Sequence, residues 1–287
     1  MSRVKLQVLE AGSCVHPEHI VLQNRSLTPL RFPALYAVIE HANHGLCLFD
    51  TGYSSHFVDA TRPFPERLYA WITPVNISPE QTAVRQLARL GYSASDVRHV
   101  FISHFHADHI SALSDFPVAR FRYLPAAYAA VRTLGRFQAL RRGVLPALIP
   151  RDFEARAEPF GDTRPVQLPL ECAPFDTGVD VFGDGSCFAV ELPGHARGQL
   201  GLFVRHQDDR LFFLVADACW TRAGYEQRVR PHPVTGLLFD DTRQYHATLD
   251  RLASLHQRAT GVVIVPSHCQ KTFEQLQKHL DASLRCP

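Results

Sequence analysis

The chain lacks most of the features that would commit it to a large charged partner. Its 30 Lys+Arg stand against 28 Asp+Glu, a formal net charge of +2 over 287 residues. That balance offers no basic footprint for nucleic acid and no polybasic patch for an anionic membrane. No apolar run approaches the ~18 residues of a membrane-spanning helix, and no charged-then-apolar leader opens the chain. The seven cysteines (14, 47, 172, 187, 219, 269 and 286) are odd in number and never form a C-x-x-C pair. Free thiols in a reducing cytoplasm are the expectation. Methionine occurs once and proline 20 times, and neither count points to a function.

Histidine, by contrast, is abundant, with 16 in the chain. Four ligand-type side chains crowd the stretch Ser103-His104-Phe105-His106-Ala107-Asp108-His109, directly after the apolar run Val100-Phe101-Ile102. Packing alone gives no reason for such a cluster. Extended backbone puts residues i and i+2 on one face, so His104 and His106 can address one ion, and Asp108 and His109 can turn to a second. The pattern reads as a metal motif.

The flanking sequence places this motif at a strand end. Val4 to Leu9 alternates as a half-buried strand, and Leu35–Glu40 with Leu46–Asp50 reads as a hairpin around His41–Gly45. The Pro- and aromatic-rich stretch 57–77 is expected to be an ordered loop or short helix over a cleft. Ser78, Pro79 and Gln81 carry the signals of a capping box that starts a helix ending at Gly91. Val97 to Ile102 is then a strand. Beyond Phe116 the chain turns basic and helical, with Tyr128 to Arg142 as a helix and Leu145 to Pro150 closing it. This segment is either packing on the sheet or a lid whose arginines and aromatics receive an anionic or acyl substrate. Two further hairpins are expected around Gly183–Ser186 and Gln207–Asp209. A helix over Asp241–His256 carries Tyr245, Leu249, Leu252 and Leu255 on one stripe. A strand at Val262–Val265 and a closing helix marked by Phe273, Leu276, Leu280 and Leu284 complete the chain.

Three more ligand candidates begin loops after apolar strands: His195 after Leu192-Pro193-Gly194, Asp217 after Phe213 to Ala216, and His268 after Val265-Pro266-Ser267. Loops at one edge of a sheet converge, so these residues reinforce one another. Together with His104, His106, Asp108 and His109 they exceed what one zinc takes and suit two ions sharing a carboxylate. Such a pair holds a bridging hydroxide and polarises a carbonyl or phosphoryl oxygen.

The set Phe49-Asp50-Thr51-Gly52, Ser103 to His109, Leu192 to His195, Ala216-Asp217-Ala218 and Pro266-Ser267-His268, in this order, resembles the metallo-β-lactamase superfamily. The resemblance implies a single α/β domain over 1–287, a four-layer αββα sandwich, with a helical lid insertion at about 120–155. It implies that His104, His106 and His195 hold one metal, that Asp108, His109 and His268 hold the other, and that Asp217 bridges. Asp50 would steady a ligand. The metals are expected to be zinc, with iron, manganese or cobalt also accepted by such a donor set. Asp108 and Asp217 are the expected catalytic carboxylates. A metal-bridging hydroxide would attack the carbonyl of a lactone or carboxylic ester, and Asp108 would pass the proton to the leaving group.

Within the superfamily the chain most resembles N-acyl homoserine lactonases, with two departures. Trp220 stands where those enzymes carry a tyrosine, and Ala107 stands where they place a larger apolar residue. Tyr225 is a candidate to reach the pocket instead, and Trp220 a candidate wall for an acyl chain. A cysteine-ligand β-lactamase would need Cys at position 217. Cys219 is expected to be a buried small hydrophobe. The partner implied is a small acyl ester, lactone or thioester, with no nucleic acid and no membrane. Acyl-thioester or phosphodiester hydrolysis are alternatives, and a metal-bound non-catalytic scaffold is a more distant one. A second D-T-G triplet, Asp176-Thr177-Gly178, raises the rival of an aspartic protease with paired carboxylates. Its all-β fold would leave the histidines without purpose.

Overall fold

The computed structural model describes residues 2–23, 25–161, 163–258 and 261–283, without the side chains of 279–283. Twelve strands form two six-stranded sheets. In the first, β1 (Lys5–Pro17), β2 (Pro29–His41), β3 (Gly45–Phe49), β4 (Val75–Asn76), β5 (Val97–Phe101) and β6 (Arg120–Arg122) lie in the order β4-β1-β2-β3-β5-β6. In the second, β7 (Val166–Gln167), β8 (Thr177–Asp180), β9 (Cys187–Glu191), β10 (Leu200–Arg205), β11 (Leu211–Ala216) and β12 (Val263–Pro266) run β12-β11-β10-β9-β8-β7.

The period-two pattern of the strands builds the layers. Leu35, Ala37 and Ile39 of β2 and Leu200, Leu202 and Val204 of β10 belong to one buried cluster between the sheets. The alternate residues Ala34, Tyr36 and Val38 face a second cluster, shared with Phe57, Leu87 and Phe153 from the helices outside the first sheet. Phe203 and Phe213 face a third, shared with Leu249, Leu252 and Leu255 of the helix Thr242–Gln257. Each sheet is thus buried on both faces, and the stack is helix, sheet, sheet, helix, the four-layer α/β sandwich expected from the sequence.

Strand direction positions the site. β3 pairs parallel with β5, and β5 with β6. β11 pairs parallel with β12, and β9 runs with β11 because both are antiparallel to β10. The carboxyl ends of β3, β5, β9, β11 and β12 therefore collect at one edge of the sandwich. Every candidate ligand follows one of these ends.

Several local details differ from expectation. The capping box at Ser78 forms, but it starts a single 3₁₀ turn, Pro79–Gln81. The chain then extends at Thr82 (φ −64, ψ 147) before the helix Ala83–Arg89. The Gln86 amide accounts for the break: it donates to the Gln81 carbonyl at 2.6 Å and to the Glu10 carbonyl at 2.9 Å. The segment from Tyr128 to Arg142 is two short helices, Pro125–Val131 and Arg136–Arg141, split at Gly135, which is extended rather than helical (φ −67, ψ 157). Residues 57–77 contain the helix Arg67–Ile72 and the end of Ser55–Ala60. Phe273 and Leu276 lie on the closing helix Gln270–Ser283. Leu284, Cys286 and the Leu280 side chain lie outside what is described. No described helix is long and apolar enough to cross a membrane.

Candidate metal centre

The seven candidate side chains gather into two groups. His104, His106, His195 and Asp217 form one, and Asp108, His109 and His268 the other, with the ligand atoms in each within 4.8 Å of one another. His104 and His106 follow the end of β5, with His106 extended (φ −71, ψ 155). A single helical turn, Ala107–Ile110, then carries Asp108 and His109. Gly194 brings His195 in at φ +128, and a Cβ there would overlap the Tyr245 backbone at the start of the helix Thr242–Gln257.

Asp217 joins the two groups. Its Oδ1 lies 3.3 Å from His109 Nε2 and 3.1 Å from His268 Nε2, whereas its Oδ2 lies 3.2 Å from His195 Nε2. The Trp220 indole donates to Oδ2 at 2.9 Å, orienting the carboxylate. Asp108 Oδ2 lies 3.4 Å from His109 Nε2 and 3.3 Å from His268 Nε2.

Outer contacts orient the rings of His109, His268 and His106. His109 Nδ1 meets Asp50 Oδ2 at 2.7 Å, and Asp50 also accepts from the Ser103 amide and hydroxyl, both at 2.8 Å. With a carboxylate on Nδ1, the proton sits there and Nε2 is free to coordinate. His268 Nδ1 donates to the Pro33 carbonyl at 2.7 Å, which likewise frees Nε2. His106 turns Nδ1 toward His195 Nε2, 3.0 Å away. Asp50 has φ +60, the left-handed region that a non-glycine residue holds only under constraint.

These atoms fit a pair of cations. His104 Nε2 is buried with no hydrogen-bond partner among the described residues, and His109 Nε2 and Asp217 Oδ1 face each other at 3.3 Å without hydrogen-bond geometry. Leaving such atoms unpaired is costly unless an ion satisfies them. The charges indicate the same thing. Burial disfavours a charged His109, yet Asp108, Asp50 and Asp217 together raise it well above the ordinary histidine range. His268 is raised in the same way, against burial, by Asp217 and Asp108. Burial raises an acid's pKa, but His109 and His268 hold Asp108 down at about 2, and with His195 they hold Asp217 well below the carboxylate range. His104 is pushed well below its usual range, and His195 to about 3, chiefly by burial. Protons on His109 and His268 thus supply the positive charge that two carboxylates demand. Asp50, wholly buried, is pushed up by burial while His109 and Ser103 hold it back.

Two cavities meet at this centre. One, about 460 Å³, has walls from Ile20, Phe32, Leu68, Tyr69, Ile72, Phe137, Leu140 and Trp220 and a floor of His106, Asp108, His195, Asp217 and His268. The other, about 410 Å³, opens beside His106 and His195 under Arg141, Arg142 and Arg197. Trp220 therefore lines the pocket. Tyr225 lies elsewhere, buried in the outer cluster of the second sheet with its ring against His256, and it lines neither cavity. Cys219 is buried in that same cluster, as expected. Asp50 and Asp176 form no carboxylate pair, since Asp176 is exposed where β8 begins in the other sheet. Sequence reasoning missed Ser103, the Pro33 carbonyl, and the wall residues Ile20 and Phe32. Only the Ser103 hydroxyl, adjacent to the motif, had a local signal.

Comparison with known proteins bears on the family and the fold. A family model described as the metallo-beta-lactamase superfamily matches residues 31–268. A probable metallo-hydrolase of Mycobacterium tuberculosis, Rv2300c, is 29% identical over 244 residues, covering 81% of this chain and 74% of that protein. An N-acyl homoserine lactonase, AttM, of Rhizobium johnstonii is 24% identical and covers 97% of this chain and 98% of its own. Among solved structures, an N-acyl homoserine lactone hydrolase with N-hexanoyl-L-homoserine at its catalytic metal centre superposes with a TM-score of 0.71. It is 19% identical, with 96% of this chain and 97% of that one covered.

Proposed function

The chain belongs to the metallo-β-lactamase superfamily and is a metal-dependent hydrolase; we propose that it uses two metal ions, zinc first among them, to hydrolyse carboxylic esters, with lactones the leading substrates. The observation that carries this reading is Asp217, whose two oxygens address two separate groups of histidines. His104, His106 and His195 would hold one ion, Asp108, His109 and His268 the other, and Asp217 both. When bound, two such ions supply an activated water and polarise the carbonyl oxygen.

The chain's own residues do the rest. Asp108, held ionised by its histidine neighbours, takes the proton from the attacking water and returns it to the leaving oxygen. The Trp220 indole and Asp50 keep Asp217 and His109 in register, as close positioning demands. The walls of the larger cavity, mostly aliphatic and aromatic, receive an acyl chain and exclude water from it. The segment around 120–155 closes over this cleft as a lid, through Phe137, Leu140 and Arg141. The lactone preference rests on the likeness to proteins named lactonases and on this apolar arm. The six described cysteines are free and buried, consistent with a cytoplasmic home.

The test is a panel of lactones, acyl esters, thioesters, phosphodiesters and β-lactams against enzyme of known metal content. Carboxylic esters, lactones foremost, should be turned over best. Preference for phosphodiesters over every carbonyl substrate would refute the reading.

A further inference from the structure

The cavity beside His106 and His195 differs from the acyl pocket in adding the Arg197 guanidinium to Arg141 and Arg142, among walls that are otherwise largely apolar. Arg141 and Arg142 close the helix Arg136–Arg141 on one wall, and Arg197 projects from the loop between His195 and β10 on the other. Gly198 seats that loop against the helix Pro125–Val131 at φ +64, where a Cβ would overlap the Ala127 backbone, so the loop cannot drift from its wall. Arg141, Arg142 and Arg197 are exposed on the cavity wall, and among the described residues no carboxylate lies within ion-pair distance of any of them. Arg142 donates to the Ala130 carbonyl at 3.4 Å, and among the described residues the side chains of Arg141 and Arg197 have no hydrogen-bond partner. The single acid on the cavity, Asp240, leaves it net positive. Unpaired guanidinium groups converging on a concave site are suited to an anion, which they can grip in bidentate fashion.

We propose that the substrate is bipolar: its acyl chain lies in the apolar cavity, and its alcohol or thiol half carries an anionic group, phosphate or carboxylate, received by Arg141 and Arg197. This rests on the ester-hydrolase reading above and concerns its open-chain esters and thioesters, since a lactone keeps its leaving oxygen attached. Both cavities share His106, His195, Arg141, Arg142 and Leu238, so a substrate spanning them puts its scissile carbonyl at the metal centre. The reaction balances as a hydrolysis. The acyl C–O or C–S bond breaks, water's oxygen joins the acyl carbon, and one proton goes to the anionic alcohol or thiol that leaves.

The experiment compares metal-loaded enzyme on three esters of one acyl chain, with ethanol, 2-hydroxyethyl phosphate and 3-hydroxypropanoate as the alcohol. The anionic esters should exceed the ethyl ester in kcat/KM by roughly tenfold per engaged arginine, mostly through KM. The R141Q/R197Q double variant, checked for an unchanged melting temperature, should bring that ratio close to one, and the phosphate and carboxylate arms show which anion is preferred. Equal kcat/KM for neutral and anionic esters, or a ratio the double variant does not change, would overturn the proposal. If no ester is hydrolysed, the ester reading fails. Direct binding of 2-hydroxyethyl phosphate then decides whether Arg141 and Arg197 form an anion site: weaker binding to R141Q/R197Q than to wild type upholds that site, and equal binding refutes it.

Discussion

Replacing Asp50 with asparagine keeps the volume of a fully buried side chain and removes one acceptor oxygen and the charge. The native carboxylate accepts from the Ser103 amide, the Ser103 hydroxyl and His109 Nδ1, at 2.8, 2.8 and 2.7 Å. In Asp50→Asn, the amide oxygen can keep the Ser103 amide, but the NH₂ then faces His109 and is itself a donor. His109 must move its proton to Nε2, the nitrogen that faces Asp108 and Asp217. One charge-assisted hydrogen bond contributes about 1.5–3 kcal/mol, and at ~1.4 kcal/mol per decade that is roughly a ten- to hundredfold loss in affinity. The same range holds for groups that orient metal ligands elsewhere. The assay is zinc competition against a graded chelator, with metal counted per chain. The group containing His109 should lose affinity by that factor while the His104–His106–His195 group is affected less. An Asp50→Asn protein that binds both ions as tightly as wild type would show that the Asp50–His109 contact does not set the tautomer.

Trp220→Phe keeps the aromatic wall but deletes the donor to Asp217, so kcat should fall about tenfold with little change in melting temperature. Gly194→Ala should cost several kcal/mol, about 3 or more, by forcing a Cβ into the Tyr245 backbone, and should show as a large drop in melting temperature or failure to fold. The metal-free protein should be most stable near pH 6.5, the ordinary histidine value. Below it, the unfolded chain takes up protons that the lowered His104, His106 and His195 refuse. Above it, the unfolded chain loses protons that the raised His109 and His268 keep, so stability falls as pH rises toward their folded values. Loading metal should release protons from His109 and His268, measurable in weakly buffered solution, and should abolish the alkaline decline. An apo protein whose melting temperature rises steadily from pH 6.5 to 9 would contradict this charge arrangement.

Much of this site could be read in the sequence because its ligands follow strand ends. Apolar runs locate β5, β9, β11 and β12, and the next few residues of each carry the chemistry. Ligand-type residues after strands at one sheet edge are forced together by topology, so His195, Asp217 and His268 could be joined to the His104–His109 cluster despite their separation in the chain. What escaped depends on contacts without a local pattern. The Pro33 carbonyl that orients His268 lies 235 residues away in sequence. The break at Thr82 follows from a Gln86 amide reaching the Glu10 carbonyl, a tertiary contact that overrode a valid capping signal. Tyr225 carried the right chemistry for a pocket phenol, but the helix Arg222–Glu226 turns it into the core beside Cys219. Trp220 takes the place beside Asp217, with an indole N–H in contact.

Metal content and turnover measured on one preparation bear most directly on the central claim. Purified enzyme should carry two ions per chain and hydrolyse an acyl lactone, and chelation should abolish that activity together with the metal. Restoring zinc should restore both, whereas Asp217→Ala should recover neither. Full lactone turnover by protein shown to be metal-free would contradict the account.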